Sequence, residues 1–240
     1  MQTELFEKEK RQKEKQDAHL HVNIKLATEK HFKEQLGETY YSDLANFEEV
    51  TTYRLHKKTR FEDFKERVSQ DFGIPTHLQR FWLWMHRQNG TVRIDKPLEP
   101  MSEKIETVLD LRHYKEKLST PMPERNALMT IQLFLEAPEQ DNVLRSLNPS
   151  EILIFIKFYD PKIRKLSYVG HLFVDKGAQF RLIFERARIL AKLPPEADVV
   201  GFEEVKYEPA VVCTELSPTQ TPEKVQGVRC SAVTSIKCDA

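Results

Sequence analysis

Residues 59–85, TRFEDFKERVSQDFGIPTHLQRFWLWM, place a predicted helix directly before a predicted aromatic strand. Thr59 and Glu62 have the spacing of a capping box, a pattern that starts a helix. Large apolar residues then recur at intervals of three and four, which predicts one buried helix face: Phe61, Phe64, Val68 and Phe72. Gly73 is the usual residue type just after a helix end, and Pro75 prevents its continuation. The stretch therefore predicts a helix that packs against a sheet.

The strand that follows, residues 80–85, has two different faces. Apolar side chains starting at Phe81 alternate with Trp82 and Trp84. We expect the apolar set to fill the core under the helix and the two indoles to lie on the outer face. Large exposed aromatic residues mark protein interfaces, so Trp82 and Trp84 are the candidate protein-binding residues. The alternative, that a long loop at 91–124 folds back over them, stays open.

The same order of strands and helix occurs twice along the chain. The first set has strands at 20–26, 50–56, 80–85 and 130–136, with the helix before the third strand and a turn at Asn89–Gly90. The second set has strands at 152–158, 167–174 and 199–205, with a helix at 180–190. A helix across a mixed sheet in about 100 residues is a two-layer α+β sandwich. The ubiquitin-like β-grasp is the commonest fold of this order, so two tandem ubiquitin-like β-grasp modules are predicted.

These patterns divide the chain into five predicted segments. They are a charged connecting helix at 1–18, a first module at 19–137, a linker at 138–150, a second module at 151–213 and a disordered tail at 214–240. The tail offers valines scattered among glycine, serine and threonine, without the alternation of a strand. We therefore expect the second module to be truncated, which would leave its first strand unpaired on one side.

The composition narrows the classes of partner. Lys plus Arg and Asp plus Glu balance at 37 each, so no net field favours nucleic acid or anionic lipid. The longest apolar run, 152–158, is far shorter than the roughly 20 residues of a membrane helix. The first sixteen residues hold no signal-peptide core, and three cysteines argue against a disulfide framework. We predict protein partners, with no nucleic acid, membrane or small-molecule ligand, in the nucleus and cytoplasm.

No group of residues predicts catalysis or a cofactor. Cys213 is the one cysteine near regular sequence, and no histidine stands in a recognisable active-site setting beside it. His19 and His21 lack a carboxylate or cysteine at ligand spacing, so we interpret them as a solvent-facing pair. The basic residues within 54–60 run directly into an acidic stretch, which favours a solvated strand end over a phosphate site. We therefore predict no enzymatic activity, no metal and no cofactor.

Six ordered segments resemble one family of proteases. They are residues 14–20 (EKQDAHL), 72–75 (FGIP), 79–84 (QRFWLW), 157–162 (KFYDPK), 168–172 (YVGHL) and 202–209 (FEEVKYEP). Together they resemble the region after the catalytic domain in the herpesvirus-associated ubiquitin-specific protease family, its plant members above all. The resemblance covers most of residues 8–213.

The resemblance implies the first ubiquitin-like modules of a longer cysteine protease. In that family these modules recruit substrates and regulators, including a herpesvirus E3 ligase. The family's second module also has an acidic loop that forms a partner site. No such loop occurs in 214–240, so no binding residue is carried over. The expected function is that of a non-catalytic, protein-binding fragment of a deubiquitinase. The alternative is an unrelated β-grasp adaptor that binds small GTPases or membrane proteins.

Overall fold

The computed structural model describes residues 17–36, 44–86, 92–98, 104–111, 130–138, 143–207, 210–225 and 231–239. They form two modules, each a five-stranded sheet with a helix packed on it. The first module contains β1 (His21–Ala27), α1 (Glu29–Gln35), β2 (Thr51–His56), α2 (Phe61–Phe72), β3 (Arg80–His86), β4 (Val92–Pro97) and β5 (Thr130–Glu136). The second contains β6 (Glu151–Asp160), β7 (Lys165–Asp175), α3 (Phe180–Leu190), β8 (Asp198–Tyr207), β9 (Ala210–Glu215) and β10 (Ser231–Asp239). The predicted α+β class is confirmed.

Two predicted features lie outside the described residues. One is the charged helix at 1–18, of which the structure describes only a single 3-10 turn that begins at Ala18. The other is the turn at Asn89–Gly90 between β3 and β4. None of the helices in the described ranges is long and apolar enough to cross a membrane.

The first sheet is built around a parallel pair. Its strand order is β2-β1-β5-β3-β4, in which β1 and β5 run parallel and every other neighbouring pair is antiparallel. Parallel neighbours cannot be joined by a tight hairpin, and here the intervening chain includes α2, β3 and β4. The crossover between the two parallel strands thus carries α2, which packs on one face of the sheet.

The predicted core under α2 is confirmed. The helix buries Phe61, Phe64 and Val68 on the face that the sequence indicated. Those side chains pack against alternate residues of three central strands: Val22, Ile24, Leu26, Phe81, Leu83, Met85, Ile131, Leu133 and Leu135. Helical spacing on one element and strand alternation on the other thus meet at one apolar layer.

The start of α2 differs from the prediction. The N-cap residue is Arg60, and no side chain caps it by a hydrogen bond, so the capping box predicted for Thr59 and Glu62 is wrong. The carbonyl of Thr59 instead accepts a hydrogen bond from the amide of Ile105 at 2.9 Å. The guanidinium of Arg60 donates to Asp63 at 2.6 Å. The helix therefore begins one residue later than the sequence pattern indicates.

β10 lies at the centre of the second sheet. It runs parallel to β6 and antiparallel to β8, which gives the order β7-β6-β10-β8-β9. Counted from the start of each module, this is the strand order of the first sheet. The prediction of a truncated second module, with a disordered tail at 214–240, is therefore wrong. Both faces of this sheet are covered, one by α3 and the other by the first module, so a central strand need not show the apolar and polar alternation that the prediction required.

The second core lies between α3 and the second sheet. The helix buries Phe180, Ile183, Phe184 and Ala187, which is the face that the sequence predicted. These side chains meet one face of β6 and β7: Ile152, Ile154, Ile156, Leu172 and Val174. The opposite face of the same two strands carries a different apolar set, which contacts the first module.

Gly201 of β8 lies directly beneath Phe184. A Cβ atom at this position would be 2.1 Å from Cε1 of that buried ring. We expect Gly201→Ala to lower the free energy of unfolding by about 1–3 kcal/mol, because the core must shift to admit one methyl group. Gly177→Ala is the control, since its Cβ would meet only an Asp175 oxygen at 3.2 Å. Urea unfolding followed by circular dichroism measures both variants. Equal midpoints would contradict the position of Phe184.

Candidate functional site

Trp82 and Trp84 lie on the predicted face of β3, but they are only 4% and 3% exposed. The prediction that they are exposed is therefore wrong. The ring of Trp82 lies 6.2 Å from that of Phe173 in β7, and the ring of Trp84 lies 6.2 Å from that of Phe32 in α1. The covering thus comes from the second module over Trp82 and from α1 over Trp84, with the ring of Phe47, before β2, 5.2 Å from that of Trp84. The predicted loop contributes Ile94 of β4. The indoles contact another part of their own chain.

Phe32 lies at the centre of the contact between the two modules. Its ring centroid is 5.3 Å from Phe134, 5.6 Å from Phe155 and 5.3 Å from Tyr168. We call the whole buried set the junction: Ala27, Phe32, Leu36, Leu44, Ala45, Val50, Trp82, Trp84, Ile94, Phe134, Leu153, Phe155, Leu166, Tyr168 and Phe173. Edge-to-face and stacked aromatic pairs of this kind add to the stabilisation from burial. The faces of the two sheets that lie away from α2 and α3 are therefore packed against one another.

The sequence prediction missed α1, which positions Phe32. This helix contains one large apolar residue and so shows no periodic apolar stripe. At its start the amide of Thr28 donates to Nδ1 of His31 at 3.0 Å. A threonine followed by Glu29 in the first turn is a start signal for a helix, and it was the one local clue.

A hydrogen-bonded group forms one polar edge of the junction. The hydroxyl of Tyr168 donates to Oε1 of Glu29 at 2.9 Å, and Nδ1 of His171 donates to the same oxygen at 2.5 Å. Burial raises the pKa of Glu29, but hydrogen bonding and charge at His171, with smaller effects of Tyr168 and Lys33, outweigh it and hold the pKa below its usual range. The carboxylate of α1 thus binds two residues of β7.

A second polar group lies beside Trp82. Its indole Nε1 donates to Oε2 of Glu136 at 2.6 Å, and Arg80 donates to the other carboxylate oxygen at 3.0 Å. Arg80 also donates to the backbone carbonyl of Arg145, which precedes the second module. The guanidinium of Arg145 lies over the ring of Phe173 at 4.9 Å from its centroid. The buried indole nitrogen of Trp82 and the carboxylate of Glu136 are therefore satisfied, and Arg145 of the linker contacts both modules.

Removal of the Glu29 charge provides a test of the junction that depends on pH. The pKa of Glu29 is lowered from 4.5 in the folded chain, so its charged form stabilises the fold above that pH. The contribution is lost as the pH falls through the lower, folded-state pKa. We expect Glu29→Gln to be less stable than the wild type at pH 6, and the difference to shrink as the pH falls below 4.5. Urea midpoints across this range measure it. A difference that does not vary with pH would contradict the stabilising effect of the Glu29 charge.

The other candidate residues lie apart from the junction. His19 is exposed in the 3-10 turn before β1. It does not belong to the strand, so it does not form the predicted pair with His21 on one strand face. His21 contacts the backbone carbonyl of Asp17 at 2.9 Å through Nδ1, and the edge of the His56 ring. Among the described residues, no three His, Cys, Asp or Glu side chains are grouped to hold a metal ion. Cys213 is exposed on β9 at the edge of the second sheet.

The fold and the junction define a pair of α+β modules that are packed against each other. A family model described as the ICP0-binding domain of Ubiquitin-specific protease 7 matches residues 79–228, which begin just before β3 and span most of the second module. The chain belongs to this family. It corresponds to a non-catalytic binding region of the ubiquitin-specific proteases.

Curated relatives show the same correspondence. Ubiquitin C-terminal hydrolase 12 of Arabidopsis thaliana is 37% identical over 221 residues, which cover 90% of this chain and 19% of the relative. Ubiquitin C-terminal hydrolase 13 of the same plant is 37% identical over 220 residues, with the same shares. Ubiquitin carboxyl-terminal hydrolase 5 of Schizosaccharomyces pombe is 27% identical over 82% of this chain and 17% of its own length. The chain thus spans about a fifth of the plant hydrolases that it matches.

Proposed function

We propose that this chain recruits proteins to a ubiquitin-specific protease, so that ubiquitin is removed from the recruited substrate or the activity is regulated by the recruited partner. The observation that carries the proposal is the family match over residues 79–228, a model described as a binding domain for the protein ICP0. The packed pair of modules supports it, because a rigid platform holds its surfaces in fixed relation and so lowers the ordering cost of binding. The balanced charge of the chain, 37 basic and 37 acidic residues, favours protein partners over nucleic acid. We place this function in the nucleus and cytoplasm.

Recruitment is tested by comparing two substrates of a hydrolase that carries this region. Proteins captured by the tagged chain are identified first, and one that carries ubiquitin is then offered to the hydrolase with and without the region. We expect loss of the region to slow ubiquitin removal from the captured protein and to leave turnover of ubiquitin-rhodamine nearly unchanged. An equal effect on both substrates would contradict recruitment.

The chain alone is the control for catalysis. It is expected to release no rhodamine from ubiquitin-rhodamine, because the family model that it matches is a binding domain. Turnover by the chain that disappears in Cys213→Ala would contradict the non-catalytic assignment and would identify a thiol nucleophile.

A further inference from the structure

The junction covers one face of each sheet. The outer faces of α2 and α3 are not part of it and remain open to a partner. The described residues with large exposed apolar side chains are Leu20, Val143, Ile163, Leu182 and Ile189. Leu182 and Ile189 both belong to α3 and are 48% and 71% exposed. No residue of α2 is in this set, and its outward positions include Glu62, Glu66 and Gln70. The two helices occupy corresponding places in the two modules, but only α3 presents apolar side chains outward.

Leu182 and Ile189 lie on the same face of α3. A separation of seven residues is almost two full turns, which places the two side chains about 10 Å apart along the helix axis. The opposite face is occupied by the buried set that begins with Phe180. The exposed pair is therefore not an extension of the core, and it forms a separate apolar stripe on the surface.

Basic residues surround this stripe. The chain as a whole is neutral, but residues 151–192 contain nine Lys and Arg against four Asp and Glu. Arg181, Arg186 and Lys192 are exposed around α3, where Glu185 is the one acidic residue of the helix. Arg186 donates to the backbone carbonyl of Phe173 at 2.9 Å, a contact that orients the guanidinium without neutralising it. Glu185 lies on the same face, between Leu182 and Ile189, so the three cations leave a net positive charge of two around the stripe.

We propose that the outer face of α3, formed by Arg181, Leu182, Arg186, Ile189 and Lys192, docks an acidic segment of a partner protein that carries two apolar side chains. The inference rests on the proposed function, because it assigns a surface to the recruitment. Apolar side chains of the segment would cover Leu182 and Ile189, and its carboxylates would face the surrounding cations. This division of roles is common where a peptide lies along a helical surface, since apolar contact gives affinity and charge gives selectivity.

An exposed apolar stripe could also bind a second copy of the chain or a membrane. The charge and the shape of this face favour the acidic segment over both. A second copy of the chain, related by a two-fold axis, would place the basic face against itself, and like charges repel. A membrane requires a wide apolar helix face, whereas α3 turns its wide apolar face inward and exposes two aliphatic side chains.

The test begins with selection of random displayed peptides on the intact chain. A fluorescent copy of the selected peptide is then titrated by anisotropy against the wild type, L182S/I189S and R181E/K192E, with E66S/Q70S on α2 as the matched control. We expect selected peptides to be rich in Asp and Glu with two apolar positions. Each α3 variant should weaken binding about tenfold or more, while the α2 variant should not. A peptide with its acidic residues changed to lysine should recover binding to R181E/K192E.

Four results of the peptide experiment would overturn the proposal, and three results of other measurements would do so as well. The four are failure to select any peptide, selected peptides without acidic residues, affinity that is the same in the wild type and L182S/I189S, and failure of the charge exchange to restore binding. Sedimentation of the wild type with vesicles of phosphatidylserine and phosphatidylcholine, lost in L182S/I189S, would assign the face to membranes instead. Self-association lost in the same variant would assign it to a second copy. If these α3 variants retain the proteins captured by the wild-type chain, the docking face is wrong while the recruitment function stands.

Discussion

Phe32→Ala is expected to lower the free energy of unfolding by roughly 3–5 kcal/mol, the range for removal of a fully buried aromatic side chain. Phe32 is 0% exposed, and four aromatic rings surround it: Trp84, Phe134, Phe155 and Tyr168. Two of these rings belong to the second module. The cavity would therefore open between the modules, where neither sheet can close it without moving relative to the other.

The control for this substitution is Lys30→Ala on the same helix. The side chain of Lys30 is 78% exposed, so the change should stay within about 0.5 kcal/mol. Urea unfolding followed by tryptophan fluorescence and by far-ultraviolet circular dichroism reports the junction and the whole fold separately. Equal midpoints for Phe32→Ala and Lys30→Ala would contradict the burial of Phe32 in the junction.

Phe64→Ala is expected to have a similarly large effect, roughly 3–5 kcal/mol, through a different core. Phe64 is 0% exposed and its ring lies 5.3 Å from Tyr53 and 5.4 Å from both Phe61 and Phe81, all in the first module. The loss of stability should therefore affect the first module before the second as the urea concentration rises. Its packing does not depend on the second module, which distinguishes Phe64 from Phe32.

Glu66→Ala, two residues further along α2, is the matched control for Phe64→Ala. Glu66 is exposed, and its replacement should change the free energy of unfolding by less than about 0.5 kcal/mol. Thermal or urea unfolding of the two variants tests the helical register directly. A larger loss for Glu66→Ala than for Phe64→Ala would show that the buried and exposed faces of α2 have been exchanged.

Elements with a strong local period were predicted well. α2 and α3 each bury the face that the sequence indicated, and β5 begins and ends at the predicted residues, Thr130 and Glu136. Elements stabilised by distant contacts were missed. α1 has one large apolar residue, and the partners that hold it lie in the other module. β10 is placed by backbone pairing with β6 and β8, which no local side-chain pattern reveals.

For the candidate site, the sequence predicted the face on which Trp82 and Trp84 lie but not the contacts that bury them. Alternation along β3 placed Trp82 and Trp84 on the face away from α2, and that face is correct. What covers the face depends on how the two modules pack, through contacts such as that of Tyr168 with Glu29, 139 residues apart. Local sequence carries no information about such a contact. Exposed aromatic residues were therefore inferred where the structure has a buried junction.

The junction also bears on recruitment. Because it occupies the faces of both sheets that lie away from α2 and α3, the described residues that remain for partners belong to helix faces, strand edges and loops. Among these, the outer face of α3 combines exposed apolar side chains with positive charge. A partner bound there would be held at a fixed orientation relative to the first module, since the junction joins the two modules as one packed unit.

Acrylamide quenching of tryptophan fluorescence tests most directly whether the first sheet is packed against the second module. The chain contains two tryptophans, and both lie in the junction. We predict that the native chain is quenched far less than the urea-unfolded chain, and that Phe173→Ala, a change in the second module, raises the quenching. Native quenching equal to that of the unfolded chain, or quenching unchanged by Phe173→Ala, would contradict the packing of Trp82 against the second module.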